Sequence, residues 1–233
     1  MDPLIRVSGL RFRYPDGTEA LKGVDFELFP GETVILLGAN GSGKTTFALH
    51  LNGLLEGEGQ IRVCGLPMDK ISLPEIRRRV GMVFQDADEQ LFMPTVMEDV
   101  TYGPLNLGVE PAEAMRLARE ALEQTGMSAA HAKAPYHLSA GEKRRVAIAG
   151  VLAMRPDILI LDEPTTSLDP PGQRDLVDLL TALPQSKIVT THDIAFARAI
   201  GTRAVFFEKG SIAALGTVGD IASRFGWEPL PRG

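Results

Sequence analysis

Short uninterrupted aliphatic runs punctuate this chain, separated by stretches with helical spacing of apolar side chains. Thr33-Val34-Ile35-Leu36-Leu37, Ile158-Leu159-Ile160-Leu161 and Ile188-Val189-Thr190-Thr191 are rich in branched side chains and contain no charge. Such runs predict strands buried on both faces, as in a parallel sheet. The N-terminal segment differs. Leu4-Ile5-Arg6-Val7 predicts a short strand, and Val24-Asp25-Phe26-Glu27-Leu28-Phe29 alternates apolar and polar positions as a half-buried strand does, with the turn residues Tyr14-Pro15-Asp16-Gly17 between them. Helical patterns lie between the buried runs, so the core reads as mainly parallel α/β. Residues 46–55 predict a helix after the first buried run. Residues 113–124 (EAMRLAREALEQ) predict another, stopped by Gly126, and are read as part of a helical insert. Two short strands around Lys209-Gly210 and a helix over 218–225 follow, then a Pro-containing tail.

A length of 233 residues suits one α/β domain, or one core carrying an inserted subdomain. The 24 Lys and Arg against 30 Asp and Glu leave a net charge of −6. That balance argues against broad nonspecific grip on nucleic acid, and no nucleic-acid partner is expected. Cys64 stands alone, which excludes an intrachain disulfide and a cysteine-cluster metal site and makes a reducing compartment the expectation. The longest apolar run, residues 146–154, is far short of the ~20 residues of a membrane span. No secretory h-region opens the sequence, so a soluble chain is expected. The histidines His50, His131, His137 and His192 lack metal-ligand spacing such as HxxxH.

The chemistry is concentrated in a few segments. Gly38-Ala39-Asn40-Gly41-Ser42-Gly43-Lys44-Thr45 matches GxxxxGK[ST] in full, directly after a buried strand and before a helical stretch. Glycines let the backbone curl so that successive N–H groups face phosphate oxygens, and the helix N-terminus adds its positive end. Lys44 then reaches the β- and γ-phosphates, and the Thr45 hydroxyl binds Mg²⁺. Ile158-Leu159-Ile160-Leu161-Asp162-Glu163 supplies carboxylates at the end of a buried strand: Asp162 for magnesium, Glu163 to polarise an attacking water. Ser139 with Glu142 three residues later forms a capping box, and capping uses the same N–H groups that anion binding would use.

The phosphate loop, Leu138-Ser139-Ala140-Gly141-Glu142, Ile158 through Glu163, Ser167-Leu168-Asp169 and Thr191-His192-Asp193 occur in this order. Together they resemble an ATP-binding-cassette (ABC) ATPase over almost the whole chain. The resemblance implies an α/β P-loop NTPase core with a mainly parallel sheet, an N-terminal antiparallel β subdomain and an inserted helical subdomain. Residues 1–225 would form one ATPase domain, with residues 90–155 as the helical subdomain and 226–233 as a short tail. It further implies that Tyr14 stacks on adenine, that Thr46 joins the phosphate loop, and that Gln85 acts at the magnesium and the γ-phosphate. Two copies would close head to tail over ATP. Ser139 and Gly141 would then meet the γ-phosphate held by the partner copy, Asp169 would link the two sites, and His192 would orient the water poised by Glu163. The usual signature is Leu-Ser-Gly-Gly-Gln; here Ala140 and Glu142 depart from it, the first losing glycine's backbone freedom and the second adding negative charge.

Within that family, the segment from Gln85 through Gly108, Leu51-Asn52-Gly53-Leu54-Leu55, and the stretch from Glu142 to Met154 resemble the ATPases of energy-coupling factor transporters, the last of them most like those for cobalt and nickel. A vitamin importer, such as one for biotin, is the nearest alternative, and a non-transport ABC ATPase a more distant one. The resemblance implies a homodimer at the cytoplasmic face of the membrane, bound to a transmembrane coupling protein and a membrane substrate-binding protein. The acidic residues Asp86, Asp88 and Glu89 beside Leu91-Phe92-Met93 form a candidate docking edge for a basic amphipathic helix.

Overall fold

The three aliphatic runs become the centre of one sheet. In the computed structural model, which describes residues 2–227, β3 (Thr33–Leu37), β7 (Ile158–Asp162) and β8 (Ser186–Thr190) are buried at every position. They lie in a six-stranded sheet ordered β10-β9-β3-β8-β7-β6, where β6 is Val80–Val83, β9 Arg203–Glu208 and β10 Ser211–Gly216. Five of these strands run parallel, and β10 closes the edge antiparallel to β9. Alternation along β3 divides the core in two. Val34 and Leu36 face a layer containing Phe47, and Ile35 and Leu37 face a helical layer containing Val146 and Ile148.

That first layer is a second sheet of four antiparallel strands, β2-β1-β4-β5: β1 (Ile5–Arg13), β2 (Glu19–Leu28), β4 (Glu58–Val63) and β5 (Leu66–Pro67). Helix α1 (Lys44–Leu51) lies between the sheets, and Phe47 packs there at 5.3 Å from both Phe26 and Phe207. The first strand runs well beyond the expected Val7. Its alternation breaks at Gly9, a left-handed residue (φ 62°) in a register shift, and resumes at Leu10. Helix α1 is shorter than the 46–55 expectation. Gly53 turns left-handed (φ 69°), and a Cβ there would lie 2.3 Å from Leu73 Cδ1, so the chain leaves the helix at Asn52. Strand β4 and helix α2 (Leu73–Arg79) were not anticipated, although Gly59, Ile61 and Val63 alternate with Glu58, Gln60 and Arg62.

The other layer contains α3 (Val96–Asn106), α4 (Pro111–Gln124) and α5 (Ala140–Leu152). Helix α4 ends as its sequence indicates, with Gly126 left-handed at φ 68°. Helix α5 reaches the sheet through Gly81 of β6, where a Cβ would sit 2.1 Å from Val151 Cγ1. Gly81→Ala therefore overpacks this junction and is expected to cost about 1–3 kcal/mol, read as a lowered denaturant midpoint at unchanged slope. The remaining helices, α6 (Pro170–Ala182), α7 (Ile194–Ile200) and α8 (Val218–Arg224), flank the sheet. The expected helix over 218–225 ends one residue early, and residues 228–233 of the expected tail lie outside the described residues.

Candidate functional site

The parallel strands β3, β7 and β8 end side by side, and the loops after them meet in one cleft of about 850 Å³. The loop after β3 is held in shape from beneath. At Gly38 (φ 142°) a Cβ would lie 2.3 Å from the Phe207 carbonyl, and at Gly43 (φ 107°) one would lie 2.7 Å from the Ala20 carbonyl. Gly41 takes φ 75° with open space around it. No side chain fits the first two places, and the curl at all three belongs to the region that glycine alone enters freely. Asn40, Gly41, Gly43, Lys44, Thr45 and Thr46 line the cleft. Ser42 is buried beneath it, its hydroxyl without a hydrogen-bond partner.

Lys44 is buried at the first turn of α1, where its ammonium donates to the carbonyls of Gly38 (2.6 Å) and Ala39 (3.1 Å). Burial pulls its pKa down; the charges of Glu163 and Asp162 oppose that shift. The Thr45 hydroxyl donates to Asp162 Oδ1 at 3.2 Å, and the same oxygen accepts a short hydrogen bond from the Thr190 hydroxyl. Thr190 thus ties the end of β8 to the end of β7. It also accepts from the Glu163 N–H, through Oγ1 at 2.9 Å and through its carbonyl at 3.1 Å.

Those two bonds hold Glu163 in a left-handed conformation, φ 42°. For a non-glycine residue this costs on the order of 1–2 kcal/mol. The result aims a nearly buried carboxylate into the cleft, where Glu163 Oε2 lies 2.9 Å from His192 Nδ1. His192 itself is largely exposed at the loop after β8. Tyr14, from the turn between β1 and β2, joins the cleft wall. Its hydroxyl shares a 3.0 Å hydrogen bond with Thr46 Oγ1, and its ring meets Phe12 edge-on at 4.9 Å. Gln85, just after β6, also lines the cleft.

The remaining expected residues lie elsewhere. Ser139 and Glu142 form the reciprocal capping box of α5, with Ser139 N–H donating to Glu142 Oε2 (2.8 Å) and Glu142 N–H to Ser139 Oγ (3.3 Å). Asp169 caps α6 by accepting from the Gly172 N–H at 2.8 Å. Ser139, Gly141 and Asp169 do not line the Lys44 cleft among the described residues. At Gly141 a Cβ would meet nothing nearer than Leu168 Cδ2 at 3.9 Å, so the chain's own packing does not demand glycine there.

Several residues at or behind the cleft have no signal in the sequence. Thr190 lay in a run assigned only to the core and is buried behind Asp162 and Glu163, whereas Lys209, Gly210 and Trp227 reach the cleft wall from the far end of the chain. Gly210 is fixed by close approach: a Cβ there would lie 2.8 Å from the Ala20 carbonyl. Its N–H donates to the Ser42 carbonyl, bracing the loop from the β9–β10 turn. No short-range pattern marks a residue whose role is to touch a loop so distant in sequence.

A buried-strand carboxylate, a phosphate loop closed by lysine and threonine, and a second carboxylate paired with histidine define a phosphate-loop nucleoside triphosphatase. Residues 21–166 match the family model described as ABC transporter, and the chain belongs to that family of ATP-binding transport ATPases. The energy-coupling factor transporter ATP-binding protein EcfA of Methanocaldococcus jannaschii is 45% identical over 94% of this chain and 81% of its own length. The structure of cbiO1 from Clostridium perfringens, part of the ABC transporter complex cbiONQ, superposes with a TM-score of 0.86 at 36% identity, covering 97% of this chain and 92% of that one. The dimeric ATP-binding cassette MJ0796, in a post-hydrolysis state with ADP and Pi, superposes with a TM-score of 0.82 at 28% identity over 92% of this chain and 98% of that one.

Proposed function

We propose that this chain is the ATP-hydrolysing subunit of an energy-coupling factor importer for cobalt or nickel ions. It works as a homodimer on the cytoplasmic face of the membrane, bound to a transmembrane coupling protein and a membrane substrate-binding protein. The observation that carries the hydrolytic reading is the Glu163–His192 pair, aimed into the Lys44 cleft at the cost of a left-handed backbone. Residues 1–225 act as one ATPase domain, with 90–155 as its helical arm.

Tyr14 supports the adenine. The backbone N–H groups of the loop, with Asn40, Ser42 and Thr46, enclose the phosphates, and the Lys44 ammonium turns from the loop carbonyls to the β- and γ-phosphates. Thr45, Asp162 and Gln85 offer a hydroxyl, a carboxylate and an amide carbonyl. Such sparse hard-oxygen donors suit Mg²⁺, which keeps waters and takes phosphate oxygens, and the 3.2 Å contact between Thr45 and Asp162 shows two of them already gathered. When bound, the ion neutralises charge on the β- and γ-oxygens. Glu163 accepts the proton of the attacking water, and His192 holds that carboxylate in place while reaching the γ-phosphate.

Ser139 and Gly141 complete the cleft of the second copy, and Asp169 links the two. Their position away from the Lys44 cleft supports this reading, as do the open space at Gly141 and the dimeric form of MJ0796. The energy-coupling factor assignment rests on the likeness to EcfA and on the segment after Gln85, and the cargo on the stretch from Glu142 to Met154; the likeness to cbiO1, part of the ABC transporter complex cbiONQ, supports a subunit of a larger transporter. Uptake of labelled cobalt or nickel by the complex reconstituted in vesicles, driven by internal ATP, tests the cargo; uptake of biotin in its place would overturn it.

The docking edge also carries a prediction. Asp88 is already paired with Lys143 at 2.6 Å, and Asp86 Oδ1 accepts from the Asp88 N–H, so Glu89 is the cleaner position for charge reversal. Glu89→Lys is expected to lower co-purification with the membrane subunits by about tenfold or more while ATP affinity changes less than about twofold. Intact assembly would remove the acidic edge from the interface.

A further inference from the structure

We infer that Arg144 is the positioning residue that sets Gln85 in the nucleotide cleft by fixing the backbone of the loop after β6 against helix α5. Arg144 is 4% exposed and belongs to α5, two residues after the capping glutamate. Its guanidinium donates to two successive carbonyls some sixty residues away in sequence, Phe84 O through Nη1 and Gln85 O through Nη2, each at 2.5 Å. Among the described residues it forms no ion pair, and its Nε is buried without a partner. Burial lowers its pKa, opposed by the charges of Asp86 and Asp162. A buried cation facing neutral acceptors is expensive, and an apolar side chain would fill the same space at lower cost. What the guanidinium supplies is geometry: two parallel donors that fix two consecutive peptide units.

The neighbouring contacts point the same way. Gln90 bridges the loop to the helix, accepting from the Phe84 N–H (3.2 Å) and donating to the Ala147 carbonyl (3.1 Å), one turn beyond Arg144. Lys143 reaches Asp88 at the loop's outer edge. The loop is therefore fastened to α5 at both ends, and Gln85 lines both the nucleotide cleft and a second groove of about 830 Å³ beside Arg144. This inference rests on the proposed placement of Gln85 at the magnesium and γ-phosphate.

The test is a double-mutant cycle on the full-length chain, read as kcat, ATP affinity and the Mg²⁺ concentration giving half-maximal ATPase. Arg144→Ala is expected to lower kcat about tenfold and raise the Mg²⁺ requirement about fivefold, with ATP affinity within about twofold. In the Gln85→Ala background it should add less than about twofold to either, because the residue it positions is already gone. Arg144→Lys, which can reach one carbonyl, should recover part of the loss. Losses that multiply independently of Gln85, or no change in kcat and Mg²⁺ requirement, would overturn the inference. Arg144→Gln carries the same cycle if the alanine variant melts more than a few degrees early. If Gln85→Ala alone leaves the Mg²⁺ requirement unchanged, the placement of Gln85 falls and the inference with it. If Gln85→Ala shows its effect and Arg144→Ala does not, only the inference falls.

Discussion

Glu163→Gln should lower the maximal rate of ATP hydrolysis by about 10²–10⁴-fold while ATP affinity changes less than about threefold. The amide keeps the shape and a hydrogen bond to His192 Nδ1, so the left-handed turn and the Thr190 bonds to the Glu163 N–H have no reason to move. What is lost is the proton acceptor. The variant also removes one negative charge from a cleft that must receive a triphosphate, so any change in affinity should be toward tighter binding. Rapid-quench measurement of ATP turnover beside equilibrium binding of a fluorescent ATP analogue separates the two quantities. Equal loss of rate and affinity would place Glu163 in binding instead of proton transfer.

Lys44→Met should have the larger effect on binding. The ammonium donates to the loop carbonyls of Gly38 and Ala39, and its charge offsets those of Glu163 and Asp162, two buried carboxylates. Methionine keeps the length and packing of the stem but leaves those carboxylates facing the β- and γ-phosphates uncompensated. Charge-assisted hydrogen bonds contribute about 1.5–3 kcal/mol each, so ATP affinity should fall about 100-fold or more, against little change in thermal stability. Titration calorimetry with Mg-ATP reads the affinity, and a melting curve the stability. An affinity within about threefold of the unsubstituted chain would mean that Lys44 remains on the loop carbonyls when nucleotide binds.

The two effects differ in how they could be anticipated. Lys44 and Thr45 are legible because a phosphate loop is local: its glycines, lysine and threonine are contiguous, and the chemistry needs them at that spacing. Asp162 and Glu163 are legible because carboxylates directly after a buried apolar strand are costly without a purpose. Ser139 is only half legible, since its capping box is real in the structure and would exist with or without a phosphate nearby. Tyr14 is similar: its place on the cleft wall depends on the β1–β2 hairpin folding back against Thr46. Thr190 and Gly210 were hidden because an aliphatic strand and a glycine turn look alike whether or not they brace a loop elsewhere.

The sequence by itself determined the local chemistry and the elements that present it. The short aliphatic runs, rich in branched side chains, point to buried strands, Gly126 stops its helix, and the phosphate loop, the strand-end carboxylates and the capping box are each complete within a few residues. Only the tertiary structure decided which of these meet. Strand order places the ends of β3, β7 and β8 together, which brings Thr45 to Asp162 and Glu163 to His192. It keeps Ser139 and Gly141 away from that cleft and ties Gln85 to α5 through Arg144. The reason is physical: short-range spacing fixes hydrogen bonds within a turn or a strand, whereas meetings across many tens of residues depend on how two sheets and a helical layer pack, and no local pattern encodes them.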